Sequence, residues 1–111
     1  MEGFDFLDQE TGLEYCGNDE EIYREVLEGY VEEDRRSDLA AYYEAEDLPN
    51  YRVVAHAIKS TSLTIGAKEL SEAAKALELA AADGDIAFVK EHNDEMAAMY
   101  SDILRRIQEA L

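Results

Sequence analysis

One proline and six glycines interrupt 111 residues. Between these breaks apolar side chains recur at spacings of three and four almost without pause. That period belongs to one face of an α-helix, where each residue turns by about 100°. Helices with an apolar stripe bury it by packing side by side. The expected fold is all-α: an antiparallel up-down-up-down four-helix bundle with short extra helices at the N-terminal side. Residues 1–111 are expected to form one domain, long enough to bury a core without disulfides or a structural metal.

Residues 1–17 read as a lid that lays Phe4, Phe6, Leu7, Leu13 and Tyr15 on the bundle. Asn18 with Glu21 resembles a capping box, so a helix is expected to start there. Its inward face would be Ile22, Tyr23, Val26, Leu27, Tyr30 and Val31. Ser37 or Asp38 can cap a short helix with Leu39, Tyr42 and Tyr43 inward, ending near Glu46-Asp47. Asp47 can cap the next, since Pro49 is tolerated in a first turn. That helix, 48–65, would run about 27 Å to Gly66, a residue suited to the left-handed position past a C-terminus. The following helix starts near Ala67, carries Leu70, Ala74, Leu77 and Ala81 on one face, and stops at Asp83-Gly84. Asp85 can cap the last one, with a stripe of Val89, His92, Met96, Tyr100, Ile103, Ile107 and Leu111. Both joints are tight, so consecutive helices are expected to be antiparallel.

The net charge of −17 repels phosphate backbones and anionic lipid surfaces, which argues against nucleic-acid and membrane roles. Solubility accounts for such a charge, and steering toward a basic partner is a second reading. No apolar run approaches the ~18 residues of a membrane span. The opening Met1-Glu2-Gly3-Phe4-Asp5 is not a signal peptide, and the lone Cys16 fits a reducing cytosol without requiring it. A cytoplasmic monomer is expected. No metal or cofactor is expected either. Val53 and Val89 stand three before the two histidines, so no Glu-x-x-His motif exists. No histidines lie four apart, one cysteine is too few for structural zinc, and Asp83-Gly84-Asp85 lacks the ligands of a calcium loop. Nothing supports a Ser–His–Asp triad or a Gly-rich phosphate loop.

Two histidines remain. His92 falls at the edge of the last helix's stripe and reads as a partly buried packing residue, able to hydrogen-bond a tyrosine. His56 is placed differently. Tyr51, Val54, Ile58, Ser62 and Ile65 form the inward stripe of its helix, and His56 projects roughly 165° from the centre of that stripe. Arg52, Lys59, Ser60 and Leu63 share its outward side. Ser60 is small enough to let something bulky approach, Leu63 is an apolar residue facing water, and Lys59 and Arg52 bring positive charge to an acidic molecule. A functional histidine and an ordinary surface residue both fit this geometry.

The run Ala55-His56-Ala57-Ile58-Lys59-Ser60-Thr61-Ser62, followed by Ile65-Gly66-Ala67, Leu70-Ser71, Ala74, Leu77-Glu78 and Ala81, resembles the histidine-containing phosphotransfer (HPt) domain family. Gly12-Leu13 and Tyr15-Cys16-Gly17-Asn18-Asp19-Glu20 are similar to that family's opening segment. Ser60 stands where glycine is usual. The resemblance implies a phosphocarrier of a two-component phosphorelay, with no ATP site of its own. His56 would accept a phosphoryl group from the aspartyl phosphate of a response-regulator receiver domain and pass it on. An ordinary imidazole, titrating near about 6.5, is substantially neutral and nucleophilic at pH 7. Lys59 would support it electrostatically, Ser60 would offer a hydrogen bond to the phosphoryl group, and Arg52, Lys59, Ser60 and Leu63 would meet the partner. Magnesium would belong to the receiver. Partners would be receiver domains and a hybrid histidine kinase, and a further reading is the phosphoacceptor domain of a larger hybrid or chemotaxis-type kinase. The alternative is an HPt-like interaction module that binds through the His56–Leu63 face without carrying phosphate.

Overall fold

The computed structural model describes residues 2–111. Met1, the first residue of the expected lid, lies outside them. Six helices follow one another: α1 Gln9–Tyr15, α2 Glu20–Glu32, α3 Arg36–Glu44, α4 Leu48–Ile65, α5 Lys68–Ala82 and α6 Ile86–Ala110. The longer α2, α4, α5 and α6 form the bundle, in which α4 packs along α5 and α5 along α6, and the described residues together measure 40 × 22 × 18 Å. The short α1 lies against α2 and α4, and α3 against α4 and α6. The expected bundle with extra short helices is the observed one.

Aspartates start most of these helices for the reason anticipated: a carboxylate takes an otherwise unpaired first-turn N–H. Asp47 accepts from the Asn50 amide at 3.3 Å, and Asp85 from that of Phe88 at 3.1 Å. Two starts differ from expectation. Asn18 does not cap α2; it sits at φ 61° and donates its N–H to the Leu13 carbonyl, closing α1 instead. The cap is Asp19, which accepts from Glu21 and Ile22. Nor do Ser37 or Asp38 cap α3. That helix begins earlier because Asp34 grips both the Arg36 amide and its guanidinium at 2.6–3.0 Å.

The core is built on tyrosines whose hydroxyls find partners across helices, which lets a large ring be buried without stranding its polar end. Tyr23 donates to the Ile65 carbonyl at 2.7 Å, and Tyr30 and Ser62 bond at 2.9 Å. Tyr51 donates to Asn93 at 2.8 Å, and Tyr100 accepts from the Arg35 amide at 2.9 Å. Burial pushes the Tyr23 hydroxyl up to about 12. The α6 stripe is rotated from expectation, since Asn93 and Leu104 are buried where His92 and Ile103 were expected. The buried set 89, 93, 96, 100, 104 and 107 follows the helical period more closely, and Tyr51 supplies the partner that makes a buried asparagine tolerable. Ile22, Tyr15 and Leu111, counted among the inward or packing apolar residues, are exposed.

The N-terminal segment buries Phe4, Leu7 and Cys16. It is fastened to the α4–α5 turn, where the Asp8 amide donates to the Gly66 carbonyl at 2.9 Å. Gly66 has φ +88°, and a Cβ there would fall 2.1 Å from the Asp8 carbonyl oxygen. Lys68 adds an ion pair to Asp8 at 2.7 Å. The hydrogen bond from Lys68, with those from Thr11, holds the Asp8 carboxyl down at about 2.

Gly66→Ala is therefore expected to lower the unfolding free energy by more than the about 1–2 kcal/mol of a left-handed non-glycine residue alone, read by urea denaturation. A depressed carboxyl stabilises the fold above its ordinary pKa and loses that contribution as pH falls through the folded value. Asp8→Asn should thus melt below wild type near neutral pH, and the two melting temperatures should converge as the pH approaches about 2.

Candidate functional site

Helix α4 buries Tyr51, Val54, Ala55, Ile58, Ser62 and Ile65, and this turns His56 outward with 58% of its side chain exposed. The ring is nonetheless held. Its Nδ1 lies 2.7 Å from Oε1 of Glu78 on α5, and the other oxygen of that carboxylate lies 3.0 Å from Lys59 Nζ. Glu78 is only 14% exposed at its side chain. Partial burial pushes its carboxyl upward, but the hydrogen bonds from Lys59 and His56 outweigh this and hold it below the usual range.

A carboxylate only accepts hydrogen bonds, so the imidazole must donate from Nδ1. In the neutral ring the lone pair then sits on Nε2, the nitrogen turned away from Glu78. The arrangement offers one exposed nucleophilic nitrogen, a partly buried carboxylate able to stabilise positive charge on the ring, and an ammonium one turn along the helix. Ser71 on α5 strengthens the contact between the helices by donating to the Lys59 carbonyl at 2.9 Å.

Glu78 is the member of this network that the sequence by itself did not single out. A signal for it existed: the tight turn at Gly66 folds α5 back on α4, so residues about ten on either side of the turn must meet. His56 and Glu78 are ten before and twelve after it. Of the residues expected at the site, Lys59 joins the His56–Glu78 network. Ser60 and Leu63 lie exposed on the same side of α4, outside that network. Arg52 lines a shallow open recess of about 430 Å³ together with Pro49, Val53, His56 and Glu78. A second recess, between α2 and α4, is lined by Val26, Tyr30, Ala57, Thr61 and Tyr100 among others, and does not include His56.

His92 lies elsewhere. Its half-exposed ring rests on Phe88 with centroids 4.3 Å apart, and among the described residues no tyrosine hydroxyl bonds it; Tyr51 bonds the neighbouring Asn93 instead. Among the described residues no three His, Cys, Asp or Glu side chains gather as a metal site would need.

With this geometry in view, residues 23–109 match the Hpt domain family. The chain belongs to that family. Neither a curated protein nor a solved structure matches it. Hpt domains are phosphotransfer modules of two-component signalling; they carry phosphoryl groups, bind no ATP as kinases do, and interact with receiver domains and kinases. Among the described residues of this Hpt domain no helix is long and apolar enough to cross a membrane.

The Nδ1 contact has a spectroscopic consequence. Glu78→Ala should remove the preference for the Nδ1–H tautomer of His56, whereas Glu78→Gln, still able to accept through its amide oxygen, should retain part of it. The ¹⁵N shifts of the two ring nitrogens report both outcomes.

Proposed function

We propose that His56 is the phosphoacceptor of a two-component phosphorelay, taking its phosphoryl group from the aspartyl phosphate of a receiver domain. The observation that carries this reading is the bond from Nδ1 to Glu78, which leaves the Nε2 lone pair on the open side of α4. That lone pair attacks phosphorus, the N–P bond forms, and the bond from phosphorus to the aspartyl oxygen breaks, so the electron pair leaves with the carboxylate. No proton has to depart from Nε2, because Nδ1 carries it. The positive charge that develops on the ring faces Glu78, a preorganised anion at 2.7 Å. Reversal of the same steps hands the group to the next receiver.

Lys59 offsets the charge of the bound phosphoryl group from one turn away, and Ser60 donates its hydroxyl to it. Arg52, Lys59, Ser60 and Leu63 meet the partner. Magnesium and the remaining stabilisation of the transition state belong to the receiver's own acidic site. Receiver domains and a hybrid histidine kinase are the partners, and the carrier works as a cytoplasmic monomer. Residues 1–111 act as one domain, with 1–17 as its lid and 48–65 as the helix that carries His56.

A phosphorylated receiver should label the protein with acid-labile, base-stable phosphate, and His56→Gln should abolish that label. Label that survives in the variant sinks the assignment, and receiver binding without any label in wild type points to the interaction module instead. Lys59→Ala should slow transfer by on the order of tenfold, or about 1.4 kcal/mol in the barrier, in rapid-quench kinetics. His56→Ala should stop transfer yet spare receiver binding, while Leu63→Asp should lose both, as read by calorimetric titration.

A further inference from the structure

We infer that Val53 is a specificity-determining contact for the phosphodonor receiver, so that the partner's footprint runs along α4 on both sides of His56. The inference rests on the reading of His56 as phosphoacceptor. Val53 is 63% exposed, more than any other large apolar side chain among the described residues. It stands three residues before His56 and shares with it the recess walled by Pro49, Arg52 and Glu78.

Pro49, Val53, His56, Ser60 and Leu63 follow at spacings of four, three, four and three, which keeps five side chains in one line along a helix. The burial of Tyr51, Val54, Ala55, Ile58, Ser62 and Ile65 on the other side of α4 turns that line to solvent. Val53 and Leu63 thus bracket His56, about 15 Å apart at 1.5 Å per residue.

The position of Nε2 decides what covers this line. His56 shares with Val53 the recess that flanks it, so a protein-bound aspartyl phosphate reaches its free nitrogen only when the body of its carrier comes down on α4. Charge agrees with that occupant. Six of the ten lysines and arginines of this acidic chain are held by its own carboxylates: Arg36, Lys59, Lys68, Lys90, Arg105 and Arg106. Among the described residues Arg52 has no carboxylate within 4.0 Å. An unpaired guanidinium beside an exposed valine and a nucleophilic nitrogen suits the acidic phosphorylation site of a receiver. A nucleic acid or an anionic lipid surface would meet the field of a chain with net charge −17.

The test labels wild type, Val53→Asp, Val53→Ser and the remote control Leu111→Asp by two routes. One donor is a phosphorylated receiver. The other is phosphoramidate, a small donor that needs no docking: its P–N bond breaks, ammonia leaves, and the phosphoryl group bonds to Nε2. Val53→Asp is expected to lower kcat/KM with the receiver by about tenfold or more, mainly through KM, with a smaller loss for Val53→Ser and none for Leu111→Asp. Phosphoramidate labelling should stay at the wild-type rate in Val53→Ser and Leu111→Asp, and in Val53→Asp, whose new carboxylate shares the recess with His56, it should fall far less than receiver labelling does. Receiver kinetics unchanged in Val53→Asp would overturn the inference and leave His56 as the acceptor. Equal losses with both donors would overturn it too, because Val53 would then act on the imidazole and not on docking. Wild type that takes label from neither donor would overturn the phosphoacceptor reading, and the inference with it.

Discussion

Between Ile65 and Lys68 the backbone reverses through a left-handed Gly66, and α5 returns along α4 close enough for Ser71 to bond the Lys59 carbonyl. The turn is enforced from outside as well as by its own glycine. The Asp8 backbone leaves no room for a Cβ at residue 66, and Tyr23 takes the Ile65 carbonyl. With α4 and α5 held in that register, Glu78 falls opposite His56 and Lys59, and one carboxylate serves both. Every chemical property of the site follows: the proton on Nδ1, the open Nε2, and the ammonium held one turn away.

The rest of the bundle keeps α4 from rotating. Tyr30 on Ser62, Tyr51 on Asn93 and Tyr23 on Ile65 tie three levels of the structure together through directional bonds inside a buried interface. Apolar packing alone tolerates small rotations, whereas a buried hydroxyl that loses its partner costs about 1–3 kcal/mol. An outward histidine requires an inward stripe that cannot slip, and these bonds supply that rigidity. The acidic surface then makes the few cations near His56 conspicuous, and Lys59 is one that the fold itself has put to use.

The helices and most of their ends were legible because their causes are local. A carboxylate three residues before the amide it accepts, a proline in a first turn and a glycine past a C-terminus all act within one turn of chain. Where reading failed, a competing contact had won. Asn18 was needed to close α1, and Asp34 captured Arg36 before Ser37 or Asp38 could act as a cap. On α6 a choice between neighbouring positions, His92 or Asn93, was decided by the hydroxyl of Tyr51 from another helix.

The order of amino acids alone dictates an all-helical bundle, the outward placement of His56, and the company of Arg52, Lys59, Ser60 and Leu63, since helical period and burial settle which way each points. Packing alone decides that Glu78 holds Nδ1 from 22 residues away, and that Asn93, 42 residues from Tyr51, is the buried polar residue of α6. The reason is geometric. Periodicity states which side of a helix is wet, but not which residue of the neighbouring helix will stand within 3 Å, because that depends on register and rotation set by the turn at Gly66 and by the whole core.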